Sequence, residues 1–347
     1  MKIEKVLVVY PYSRASAQLG GFAAAALKAR GLAASVFCFQ PYRYSSRLGR
    51  GFLGGLEYRL EERRLFAAVA GSGADLVFVV KGDELLPATV ERLRERFRVP
   101  VVNWWTDDPC LLNVSTGISP AYDAFFTNDP DSVAAHGRAG CKLPLFLTFA
   151  CEPALHRQVE LTAGERARYG SDLVFVGLLT PKRLEYLEAL SAYDIKIWSR
   201  KVVREYVPGT GSVTQRPVPE TSPVYGRITG EEAWDEELIK IYSASKVVLN
   251  IHAHGRSDPN IRVFEATGCG AFLLTEDRRL LGDFFERGRE LAAFDGKEQL
   301  ERLAGQYLRD TEARERIAAA GRRRAYADHT YAARMGEMLD RLAGAGL

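Results

Sequence analysis

The densest run of potentially reactive side chains is VVLNIHAHGRSDPNIRVFEATGCGAFLLTE, which begins at Val247. Its opening apolar residues read as a buried strand, and Asn250 and His252 leave that strand at its carboxyl end. Asp258-Pro259-Asn260 then marks a helix start, because Asp or Asn can cap a helix and Pro suits its first turn. The free N–H groups and dipole of such a helix favour a phosphate. Glu265 falls about one turn inside it. A carboxylate there can accept from two neighbouring hydroxyls, such as those of a ribose. Gly268 and Gly270 end the helix tightly and return the chain to the sheet. A plainer reading stands beside this one: Glu265 as a solvated helix residue, and Asn260 as a cap alone.

Three other segments carry candidates. In FVGLLTPKRLEYL, Gly177 ends a strand and lets backbone approach a ligand, while Lys182 and Arg183 open a helix. Cations are poorly placed at a helix N-terminus unless an anion is bound, so this pair suits a diphosphate better than a solvated first turn. In YPYSRASAQLGG, Gly20-Gly21 opens a helix without forming GxGxxG, and no acidic strand end completes a dinucleotide fingerprint. Close helix–strand packing explains the same glycines equally well. In NWWTDDPC, Asp107 and Asp108 follow a strand. One of them could act as a base or orient a hydroxyl, and either could merely cap the loop before Pro109. Trp104 and Trp105 face opposite ways, so one is expected in the core and one could stack on a sugar. The spacing of His136, His156, His252, His254 and His329 gives no metal motif. His252 could touch a leaving phosphate or sugar, and His329 is expected to help seat the last helix.

Short, nearly continuous apolar strands must position these residues. They are expected at Val6–Tyr10, Ser35–Phe39, Leu76–Val80, Val101–Trp105 and Ala124–Thr127. Continuous rather than alternating hydrophobicity marks parallel strands covered on both faces. Helical patterns lie between them at Gly21–Arg30, Glu57–Ala70 and Thr89–Phe97, so the sheet is doubly wound. The pattern restarts with strands at Leu173–Gly177, Ile195–Ser199, Val247–Ile251, Ala271–Thr275 and Leu291–Phe294. The polar stretch at about 148–171 separates the two halves. Ser199–Gly226, rich in Pro, Gly, Ser and Thr, reads as a long surface connection with room for a short helix. Three segments result: a Rossmann-like domain over 1–150, a second Rossmann-like domain over 151–325, and a terminal helix over 326–347 returning toward the first. Two such domains would set the carboxyl ends of their strands across one cleft, where ligands bind.

The 347 residues suit two moderate domains, and 47% hydrophobic with 26% charged residues is ordinary globular composition. A net charge of +3 gives no nucleic-acid signature. Five scattered cysteines without CxxC spacing fit reduced thiols, and no apolar run approaches the ~18 residues of a membrane span, so a cytoplasmic chain is expected.

NIRVFEATGCGAFLLTE closely resembles the donor-site segment of CgeB-like, spore-maturation type glycosyltransferases. These are related to the retaining group-one, or family-four, glycosyltransferases. SKVVLNIH resembles the preceding strand, DLVFVGLLTPKR the opening of the second domain, and IAAAGRRRAYADHTYAARMGEML the closing helices. The first half matches more weakly, through VVNWWTDDP and YDAFFTND. The resemblance implies a GT-B fold and metal-independent transfer of a sugar from a nucleoside diphosphate donor to an acceptor hydroxyl, with retention. It needs no cofactor, and the partners are the nucleotide sugar and a glycan or protein acceptor. It implies ribose binding by Glu265, and diphosphate binding and leaving-group stabilisation by Lys182 and Arg183. It also implies approach of the Gly20-Gly21 segment to the donor. Ser257 stands where the larger group has a first glutamate that contacts the transferred sugar. Asn260 and Arg262 are the local polar replacements. A non-hydrolysing nucleotide-sugar epimerase, or an inactive GT-B binding protein, would share this architecture.

Overall fold

The computed structural model describes residues 2–43, 52–207, 213–253 and 259–347. The described chain separates into two compact units, one of residues 1–148 with 331–347 and the other of residues 149–330.

The first unit alternates strand and helix. It runs β1 (Lys5–Pro11), α1 (Arg14–Ala29), β2 (Ala33–Phe39), α2 (Phe52–Ser72), β3 (Leu76–Val80) and α3 (Pro87–Phe97). It continues through β4 (Val101–Trp105), α4 (Leu112–Ile118), β5 (Ala124–Thr127), α5 (Val133–Arg138) and β6 (Pro144–Phe146). The described strands form one parallel sheet in the order β2-β1-β3-β4-β5-β6. β3 and β4 are buried along their whole length, as continuous apolar sequence requires of strands covered on both faces. Local chemistry sets the helix ends. Ser13 caps α1 by accepting from the N–H of Ser16, and Pro87 opens α3, which closes on Arg98 in the left-handed region.

The second unit repeats the plan. It runs α6 (Ala163–Tyr169), β7 (Leu173–Val176), α7 (Pro181–Glu188), β8 (Ile195–Trp198), β9 (Val202–Tyr206), β10 (Val213–Pro217) and α8 (Asp235–Ala244). Then follow β11 (Val247–Asn250), α9 (Ile261–Gly268), β12 (Leu273–Glu276), α10 (Leu281–Phe284), β13 (Ala292–Phe294), α11 (Lys297–Arg309) and α12 (Thr311–Asp328). Its parallel sheet has the order β13-β12-β11-β7-β8 around a core that includes Phe175, Ile197, Leu249, Leu274 and Phe294. The chain steps outward from β7 to β8 and then restarts at β11 on the other side of β7. Doubly wound sheets bind ligands at the carboxyl ends of strands at such a reversal. The last helix, α13 (Tyr331–Gly344), packs on α1 in the first unit, where Tyr331 meets Phe22 with ring centroids 5.0 Å apart.

Ser199–Gly226 is not a plain connection. β9 and β10 pair antiparallel within it, and Tyr225–Arg227 makes a single 3-10 turn. The short strand β6 was also absent from the pattern-based reading. Among the described residues, no helix is long and apolar enough to cross a membrane.

Candidate functional site

The reversal in the second sheet lies between the carboxyl ends of β7 and β11, and most of the candidates gather there. β7 ends at Val176, and Gly177 follows with φ +155°. Thr180 then caps α7 by accepting from the N–H of Arg183, with Pro181 next to it. Lys182 and Arg183 thus stand in the first turn of α7, as the sequence implies, but they are not a matched exposed pair. Arg183 donates from Nε to the carbonyl of Ile251 at 2.7 Å and from Nη1 to that of Leu178 at 2.8 Å. Its guanidinium lies 5.4 Å from the centroid of Phe175. It ties the turn after β7 to the turn after β11. Lys182 remains more open, with 37% of its side chain exposed, and its Nζ is ion-paired with Oε1 of Glu276.

β11 delivers Asn250 and His252. Asn250 donates to Oγ1 of Thr275 at 2.9 Å and accepts from Nδ2 of Asn260 at 3.0 Å. Asn260 is the N-cap of α9, accepting from the N–H of Arg262 at 3.1 Å. His252 is buried, and its Nε2 accepts from the N–H of Asn260 at 3.2 Å, which assigns its ring proton to Nδ1. Asn250, His252 and Asn260 therefore form one polar hinge between the end of β11 and the start of α9. His254, Ser257 and Asp258 lie outside the described residues.

Glu265 is not a solvated helix residue. It is 2% exposed, and its Oε2 accepts from Nη1 of Arg262 at 2.5 Å. Its Oε1 lies 3.8 Å from Nε2 of His156, a fully buried histidine whose Nδ1 accepts from the N–H of Glu152. Burial lowers the pKa of His156, with Glu265 opposing, while burial of Arg262 is outweighed by Glu265 and Tyr242, which hold it charged.

Sequence reasoning missed two residues at the end of β12. Glu276 accepts from the N–H of His252 at 3.0 Å through the carboxylate that also holds Lys182. Arg278 donates to the same carboxylate at 3.3 Å, and its buried Nε has no hydrogen-bond partner among the described residues. Burial lowers the Arg278 pKa, with Glu276 opposing. The signal was present: TEDR leaves the carboxyl end of a buried parallel strand, as Asn250 and Gly177 do. Together Lys182, Arg278 and the start of α9 can hold an anion.

The first unit holds the remaining candidates. Asp107 pairs with Lys81 at 3.0 Å, and Lys81 also reaches Asp83 at 3.6 Å. Burial disfavours the charge of Lys81, but the two carboxylates outweigh it and raise its pKa. Lys81 has φ +61°, a strained value for a side-chain-bearing residue, directly after β3. Asp108 is wholly engaged within the core, accepting from Ser115 and Thr127 at 2.7 Å and meeting Nε2 of His136 at 2.8 Å. Of the two aspartates, Asp107 is the one with exposed surface. Trp104 and Trp105 are both fully buried, so neither offers a ring for stacking. Gly20 and Gly21 do not open a helix: both lie inside α1. A β-carbon on Gly20 would sit 2.4 Å from the Tyr10 ring, whereas one on Gly21 meets nothing within 4 Å. Gly20 is thus a packing glycine. His329, in the second unit, meets the Phe284 carbonyl at 2.7 Å among the rings of Phe264, Phe284 and Phe285. Among the described residues, no group of three or more His, Cys, Asp or Glu could hold a metal ion.

Comparison with known proteins bears on the fold and the family. Residues 185–340 match a family model described as glycosyl transferase-like. The spore protein CgeB of Bacillus subtilis is 23% identical over 239 residues, covering 64% of this chain and 68% of that protein. A sucrose-phosphate synthase from Thermosynechococcus elongatus superposes with a TM-score of 0.65 at 15% identity, over 99% of this chain and all of that one. HepE of Anabaena, solved with UDP-glucose, gives 0.63 at 14% identity over 98% of this chain and 99% of that one. The expected resemblance is borne out.

Proposed function

We propose that this chain, CgeB-like in sequence and GT-B in fold, moves a sugar from a nucleoside diphosphate donor to an acceptor hydroxyl. The observation that carries this is the meeting of Lys182 and Arg278 on Glu276, which also holds the N–H of His252, itself bonded to the Asn260 cap of α9. The order of roles follows from charge. Lys182, Arg278 and the N-terminal end of α9 take the diphosphate, and their attraction grows as that group departs with added negative charge. Gly177 leaves room for backbone approach. Glu265, already held by Arg262, accepts ribose hydroxyls. Arg183, Asn250 and His252 act by fixing the strand ends rather than by touching the reacting atoms. Asp107, held by Lys81 in the first unit, is the carboxylate assigned to the acceptor hydroxyl.

With cations in place for the leaving group, the reaction needs no metal, and the family resemblance favours retention. HepE was solved with UDP-glucose, which makes UDP sugars the first donors to try. The test is release of free nucleoside diphosphate when nucleotide sugars are offered with glycan or protein acceptors, with and without chelator. Acceptor-dependent release that survives chelator is expected, and product anomers of unchanged configuration. Sugar-nucleotide interconversion without an acceptor would instead indicate an epimerase.

A further inference from the structure

The cations of the phosphate site are already occupied from within. Glu276 is 9% exposed at the end of β12, and one carboxylate engages three donors at once. They are Nζ of Lys182, Nη2 of Arg278 at 3.3 Å and the N–H of His252 at 3.0 Å. These donors come from three separate segments: the first turn of α7, the loop after β12 and the exit of β11. A residue needed only to brace β12 would not have to gather cations from across the sheet end. Arg278 is also under-served by this arrangement, since its buried Nε has no partner among the described residues. A buried guanidinium with a spare donor is costly unless a further acceptor arrives.

We propose that Glu276 is an internal counter-anion that occupies the phosphate-binding cations of the free protein and is displaced from Lys182 by the diphosphate of the ligand. This rests on the reading of the site as a diphosphate site. Without ligand, Glu276 offsets the charge of Lys182 and Arg278 and keeps Lys182 drawn toward the strand ends, here 5.6 Å from the Tyr186 ring. With ligand, two anions compete for the same cations. Lys182 is half-open on a flexible stem and moves to the phosphate, while Glu276 keeps Arg278 and the His252 N–H. Glu276 therefore positions Lys182 and weakens the grip on diphosphate, which favours product release.

The consequence has an unusual sign. Glu276→Gln keeps the size of the side chain and an acceptor for His252 but removes the competing charge. It should bind inorganic pyrophosphate about ten- to a hundredfold more tightly than the wild type, as expected for loss of a like charge within a few ångströms. A brace would show the opposite, with weaker binding and a lower melting temperature. In a Lys182→Met background the tightening should shrink, because the contested cation is gone. Should Glu276→Gln fail to fold, Glu276→Asp retains the charge but withdraws it from Lys182, and should tighten pyrophosphate about threefold. The measurement is calorimetric titration of the full chain with pyrophosphate, alongside melting temperatures. Unchanged or weaker binding in a folded variant overturns the proposal, as does tightening that persists in full without Lys182. Pyrophosphate reports this independently of sugar transfer. Tightening in a protein that turns over no nucleotide sugar would leave Glu276 as proposed and remove the transferase reading.

Discussion

At the scale of single residues, burial decides which substitutions report on the ligand and which on the fold. Glu265 is a buried partner of Arg262, so Glu265→Ala strands a cation and lowers stability as well as affinity. Glu265→Gln is the cleaner probe. It should weaken nucleoside binding by about 1.5–3 kcal/mol, the worth of a hydrogen bond to a charged acceptor, with a smaller change in melting temperature. Equal nucleoside affinity in the two proteins would remove Glu265 from the ribose site. Lys182 and Arg183 likewise separate. Lys182→Ala should lower kcat by about ten- to a thousandfold at nearly unchanged stability, because leaving-group charge is greatest in the transition state. Arg183→Ala should lower the melting temperature, since two carbonyls at adjoining strand ends lose their donor. A double substitution would mix these effects, and the two variants should be assayed apart by kcat and thermal melting.

At the scale of elements, α1 offers a direct discrimination. Gly20→Ala drives a methyl group into Tyr10 and should destabilise by about 1–3 kcal/mol. Gly21→Ala faces open space inside a helix and should stabilise by about 0.5–1 kcal/mol. Paired urea melts decide this; loss of stability at both positions would mean that α1 is packed differently. The same helix shows what the sequence made legible and what it did not. The buried parallel strands and the Asn260 cap were readable because continuous apolar runs and capping residues are local signals. α1 starts earlier than the glycine pair suggests, since glycines expected to open the helix are tolerated inside it, Gly20 against the Tyr10 ring and Gly21 facing open space. β9 and β10 were missed because Pro, Gly and Ser dominate their surroundings. Their own Val-Val and Val-Thr pairs are the β-branched signal that was overlooked. The place of Glu276 and Arg278 at the carboxyl end of a buried strand is legible in TEDR, but their meeting with Lys182 joins segments far apart in sequence, which no spacing along the chain encodes. The separation of Asp107 from Asp108 also depends on partners distant in sequence, among them Thr127 and His136.

At the scale of the whole molecule, buried histidine chemistry sets an acid limit. His156 is held neutral by burial, so its folded pKa lies below the ordinary 6.5. Between those two values the unfolded chain binds more protons than the folded one, and stability falls as pH drops through that window. Above about pH 7 the contribution is constant. The melting temperature should therefore decline from pH 7 toward pH 5, and His156→Gln should flatten that decline. An identical slope in both proteins would place the acid sensitivity elsewhere.

On the proposed function, the reversal of the second sheet holds a nucleoside diphosphate sugar through Lys182. The most direct measurement is calorimetric titration of a panel of nucleotide sugars, beginning with UDP sugars, into the wild type and Lys182→Ala, with the matching bare nucleosides as controls. At least one nucleotide sugar should bind the wild type, and Lys182→Ala should lose about tenfold or more of that affinity while holding the nucleoside as before. Binding of no nucleotide sugar by the folded wild type, or equal affinity in both proteins, would contradict it.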